Sequence, residues 1–111
     1  MRRKSVTILG GGAWGSVLAM VAETAGCRPI LWMRDKFAAA EIQNSRQTPQ
    51  LPGLHLDEDI VVTADLAAAA QQARDAIVLA VPAQSVRAVV TAMTPYLSAD
   101  VPLVLASKGI E

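Results

Sequence analysis

Gly10-x-Gly12-x-x-Gly15 lies between two segments of opposite periodicity, and that junction restricts the chain to few folds. Before it, Val6, Ile8 and Leu9 form a short apolar run rich in β-branched residues, the composition of a buried strand. After it, a helical pattern starts near Ala13: Val17, Val21 and Ala25 share one face, with Leu18 and Ala22 beside them. Gly26 stands where a left-handed residue would end that helix. Gly10 is expected to permit a tight turn out of the strand, Gly12 to let a pyrophosphate approach the backbone, and Gly15 to let helix and strand pack closely. The first helical turn would then offer unpaired N–H groups and the positive end of its dipole to phosphates.

Two other uses of these glycines compete. A nucleotide-triphosphate loop needs a lysine after its last glycine to reach the β- and γ-phosphates, and Ser16 stands there instead. A glycine-rich turn with no ligand is the other. The strand before the glycines and the amphipathic helix after them favour a dinucleotide site.

The 111 residues suffice for one domain, and the 52% hydrophobic content suits alanine-rich helices around strands buried on both faces. Ten basic residues balance ten acidic ones without a long run of either sign, so composition points away from nucleic acid and anionic membrane. No apolar segment approaches the ~20 residues of a membrane span. Met1-Arg-Arg-Lys4 is basic, but the apolar run behind it is cut at Gly10, which makes a poor signal peptide. The single cysteine, Cys27, rules out an internal disulfide, fits a reducing cytoplasm and is expected as a small core residue at the start of a strand.

Further along, Pro29 to Met33 reads as a second strand with Pro29 at its first position, where a missing N–H is tolerated. Asp35 is placed to cap a helix from Lys36 to about Ser45, with Phe37, Ala40 and Glu41 at helical spacing. Gln47 to Asp59 is a polar loop holding Pro49, Pro52 and Gly53, and the only histidine, His55, is expected on its surface. Ile60 to Thr63 is a short strand, and Leu66 to Ala73 an alanine-rich helix started by Asp65. Ala76 to Val81 is the cleanest buried strand, ended by Pro82. A helix follows from about Gln84 with Val86, Val89, Val90 and Met93 on one face, closed by Pro95. Val101 to Ala106 is a fifth strand, and Ser107 to Glu111 its trailing loop.

Alternating strands and helices imply right-handed βαβ units and an α/β, Rossmann-like, three-layer doubly wound parallel sheet, here in the order 3-2-1-4-5. The order reverses between strands 1 and 4, which places a ligand crevice above the glycine turn and Val81-Pro82. The end of strand 2 would meet the adenosine ribose. An acidic residue there accepts from the 2′-OH of NAD, while an arginine accommodates the 2′-phosphate of NADP. Arg34-Asp35 offers both. A carboxylate that caps its own helix points at its own backbone, so NADP with Arg34 as determinant is favoured, and NAD stays open.

Together these residues resemble the N-terminal half of bacterial-type NAD(P)-dependent glycerol-3-phosphate dehydrogenase. The likeness rests on Gly10-Gly-Gly-Ala-Trp-Gly15, Leu31-Trp-Met-Arg-Asp35, Leu51-Pro-Gly53, Val81-Pro82 and Ser107-Lys-Gly-Ile-Glu111, in the family's order and spacing over nearly the whole chain. It implies reversible reduction of dihydroxyacetone phosphate to sn-glycerol 3-phosphate for glycerophospholipid synthesis. It also implies that Ala13 and Trp14 line the cofactor pyrophosphate, that Arg34 and Asp35 flank the adenine ribose, and that Lys108 contacts cofactor and substrate. Lys108, in a glycine-flanked turn past a strand end, would suit a phosphate or a polarised carbonyl. Trp14 is bulky for such a turn and serves as a cover over the cofactor, a core anchor, or both.

The sequence departs from the family in three respects. Gln50 stands where the family often has a tyrosine, and Ala13 where some members have a serine. The family's proton-transferring lysine lies in a C-terminal helical substrate domain that this chain does not contain. The chain is therefore expected to be a cofactor-binding portion of a larger enzyme, binding the dinucleotide without turnover and carrying no catalytic residue of its own. The parent is expected as a cytoplasmic homodimer. Another hydroxyacid or ketoacid dehydrogenase, or a non-catalytic nucleotide-sensing module, remain the alternatives.

Overall fold

A computed structural model describes residues 3–10, 12–49, 51–98 and 100–106. The order of elements is β1 (Ser5–Leu9), α1 (Ala13–Thr24), β2 (Arg28–Trp32), α2 (Lys36–Ser45), β3 (Val61–Thr63), α3 (Leu66–Gln72), β4 (Ala76–Leu79), α4 (Val86–Met93) and β5 (Leu103–Leu105). The five strands are all parallel and lie in the order β3-β2-β1-β4-β5, as expected. Strand alternation divides the core in two. Ile8 and Leu31 face a cluster with Ala19, Ala39 and Ile42 of α1 and α2. Their neighbours Leu9 and Trp32 face the opposite cluster with Ala69, Ala70, Val89 and Met93 of α3 and α4. Right-handed crossovers running outward from β1 in both directions put the helix pairs on opposite faces in this way, giving three layers.

Several local expectations need correction. Pro29 is the second residue of β2, paired with Val6. The Arg28 N–H donates to the carbonyl of Lys4, just before β1, and that of Met33 to the carbonyl of Thr63 in β3, so residues of opposite parity face opposite neighbours. The nitrogen of Pro29 therefore faces the β3 side, and β3 begins only opposite Ile30. No ladder bond is lost. In α1 the buried residues are the small ones, Gly15, Ser16 and Ala19, while Val21 is 59% exposed. The valine face points away from the sheet and, with Leu51 to Leu54, walls an apolar groove. Likewise α2 buries Ala39 and Ile42 and leaves Phe37 exposed. Cys27 is only half-buried. A 3₁₀ turn, Ala83–Ser85, precedes α4, whose expected face does bury Val89 and Met93, with Val86 and Val90 packed beside them.

Arg46 organises the long connection to β3. It ends α2 in the left-handed region (φ 63°), and its guanidinium donates to Asp57 O at 2.8 Å, Ile60 O at 2.7 Å and Gln43 O at 3.0 Å. Its own carbonyl accepts from the Leu56 N–H at 2.7 Å. One buried cation thereby satisfies carbonyls at both ends of the loop.

Candidate functional site

The glycine turn stands at the C-terminal edge of the sheet, and each glycine answers a different contact. Gly10 has φ +125°, and a Cβ there would lie 2.8 Å from the carbonyl carbon of Ala80, so the turn rests on the exit of β4. A Cβ on Gly15 would lie 1.6 Å from Gly10 O. The close approach expected of Gly15 is thus between the helix and the turn itself, with the strand further off. A Cβ on Gly12 would meet nothing within 4 Å, and its φ of −74° suits any residue. The turn and the fold therefore require Gly10 and Gly15. Nothing among the described residues requires Gly12, and its bare backbone faces open space at the helix start.

That start has no side-chain cap, and Ser16 is the first residue of α1 to bond back, to Gly12 O at 3.0 Å. The preceding N–H groups point out of the helix with the positive end of its dipole. Open backbone, an uncapped helix start and absent Cβ together fit a pyrophosphate.

The other site residues gather on the same edge. Val81 is buried and Pro82 exposed immediately past β4, and the Gly10 N–H donates to Trp32 O at 2.8 Å, so the exits of β1, β2 and β4 are knit together. Arg34 is exposed beyond β2 and makes no hydrogen bond or ion pair among the described residues. Asp35 is occupied: its Oδ1 accepts from the N–H groups of Phe37 at 2.9 Å and Ala38 at 3.2 Å, a helix cap as expected. Ala13 and Trp14 open α1, with Trp14 37% exposed. Its Nε1–H donates to the carbonyl of Ala106, a contact that no spacing in the sequence announces. Lys108 lies outside the described residues. His55 is exposed on its loop, as expected.

A doubly wound parallel sheet, with a glycine turn into an uncapped helix at its switch point, defines a Rossmann-type domain. The family model described as NAD-dependent glycerol-3-phosphate dehydrogenase N-terminus matches residues 5–111. Among curated relatives, a glycerol-3-phosphate dehydrogenase [NAD(P)+] of Rhodopseudomonas palustris is 48% identical over 107 residues, covering 96% of this chain and 32% of the relative. That of a Bradyrhizobium strain is 44% identical over 110 residues, covering 99% and 33%. The crystal structure of glycerol-3-phosphate dehydrogenase from Coxiella burnetii superposes with a TM-score of 0.88 at 28% identity, over 97% of this chain and 33% of that one. The chain belongs to the glycerol-3-phosphate dehydrogenase family and corresponds to its N-terminal part, spanning about a third of the length of the curated relatives it matches. The resemblance read from the motifs is borne out.

Proposed function

We propose that this chain is the dinucleotide-binding portion of a glycerol-3-phosphate dehydrogenase. The open backbone at Gly12, beside an uncapped helix start, carries the proposal. Gly10, Gly12, Ala13, Trp14 and Gly15 would hold the pyrophosphate against the first turn of α1, with Val81 and Pro82 forming the far wall of the crevice. The free guanidinium of Arg34 and the committed carboxylate of Asp35 favour NADP(H) over NAD(H). Lys108 would add a cation toward cofactor and substrate.

When bound, the nicotinamide would donate hydride to dihydroxyacetone phosphate or, in the reverse direction, accept it from sn-glycerol 3-phosphate; the protein's part is to bind and orient. Because the chain spans about a third of its relatives, a helical substrate domain beyond residue 111 is proposed to supply the proton-transferring and most substrate-binding groups. The isolated chain would then bind cofactor without turnover. The same proposal has the whole enzyme act as a cytoplasmic homodimer; among the described residues, no helix is long and apolar enough to cross a membrane.

Titration of NADPH and NADH against this chain, followed by tryptophan fluorescence, tests the cofactor assignment. NADPH is expected to bind more tightly by about 1–3 kcal/mol, with Arg34→Ala closing the gap. Equal affinities for the unaltered chain would overturn the role of Arg34. Dihydroxyacetone-phosphate-dependent oxidation of NADPH by the 111-residue chain would overturn the division of labour.

A further inference from the structure

We propose that Trp14 is a positioning residue, a strap that binds the glycine turn to the exit of β5 so that the two rims of the crevice behave as one unit. Its indole Nε1–H donates to the Ala106 carbonyl, ninety-two residues away in sequence. Trp14 follows β1 and Ala106 follows β5, and β4 lies between those strands in the sheet. Strands two apart are separated by about 10 Å, a gap that only a long or broad side chain crosses. The bond therefore passes over the exit of β4, where Gly10 already rests against Ala80. That line is also where the strand order reverses.

The strap matters because β5 is weakly held. It has three residues, pairs only with β4 among the described residues, and leaves Leu103, Val104 and Leu105 at 44%, 47% and 67% exposure. Its exit is tied by two bonds: the Ala106 N–H donates to Leu79 O at 2.9 Å, and the Ala106 carbonyl accepts from Trp14. The second tie runs to the helix start proposed to hold the pyrophosphate. Occupation of the turn would then be felt at the residue that leads into Ser107 and Lys108. This coupling to a ligand rests on the dinucleotide proposal; the strap itself does not.

Native-state hydrogen exchange on the 111-residue chain separates the two. Without ligand, Trp14→Phe keeps a ring and removes the donor, and the Ala106 amide is expected to exchange about five- to tenfold faster while the Gly10 amide is unchanged. Unaltered Ala106 protection overturns the strap. Should Trp14→Phe fail to fold, the Trp14 indole N–H of the unaltered chain decides: protection supports the strap, and exchange at the rate of a free indole overturns it. With saturating NADPH, Ala106 exchange is expected to slow in the unaltered chain and not in Trp14→Phe. Equal slowing in both, or none in a chain that binds NADPH, overturns the coupling. Absence of NADPH binding counts against the dinucleotide proposal and leaves the ligand-free comparison to judge the strap.

Discussion

Gly12 and Gly15 are alike in sequence and opposite in what they answer to. The missing Cβ of Gly15 makes room for Gly10 O, so Gly15→Ala must push the helix off the turn. A loss of about 3 kcal/mol or more is expected in urea unfolding, since the clash is with backbone that cannot turn aside. Asp35 makes a comparable division at the end of β2. With its carboxylate on the N–H groups of Phe37 and Ala38, Asp35→Ala is expected to cost about 1 kcal/mol of stability. The same substitution should leave the NADPH-to-NADH affinity ratio where it was. A selective loss of NADH binding would place Asp35 on the ribose instead.

Among the elements, the connection from α2 to β3 depends most on one side chain. Arg46→Met removes the donors that Asp57 O, Ile60 O and Gln43 O share, and is expected to destabilise by about 2–4 kcal/mol in urea melts. A change under about 0.5 kcal/mol would show that water replaces the guanidinium without penalty. This contact also marks what was legible beforehand. The strands could be read because β-branched runs bounded by glycine, proline and aspartate have few other uses, and their order followed from the glycine turn. The buried face of α1 could not. Its valines suggest the core, yet the residues it buries are the small Gly15, Ser16 and Ala19, with Leu18 and Met20 half-buried beside them. Arg46 in a left-handed conformation gave no signal either, because that position ordinarily belongs to glycine or asparagine. The placement of the glycines, Arg34 and Asp35 at the exits of β1 and β2 was legible because each type does something few others can. The bond from Trp14 to Ala106 exists only once β5 lies two strands from β1.

For the whole molecule, the two edges of the sheet differ in how far they are covered. Among the described residues β3 pairs only with β2 and β5 only with β4, but β3 buries Val62 in the core whereas β5 leaves all three of its residues exposed. Such an edge invites pairing with another chain. The isolated chain is therefore expected to self-associate with rising concentration in light scattering, and Val104→Lys to return it toward the monomer. A monomer at every concentration would mean that the edge is protected. Calorimetric titration of NADPH into the unaltered chain and into Gly12→Ala tests whether the glycine turn holds a dinucleotide. A Cβ at Gly12 meets nothing within 4 Å among the described residues, so the two chains should differ in stability by less than about 0.5 kcal/mol. Saturable one-to-one binding is expected, weakened about tenfold or more by Gly12→Ala, because the added methyl occupies the space the pyrophosphate needs. Equal binding by both chains, or none by a folded unaltered chain, would contradict it.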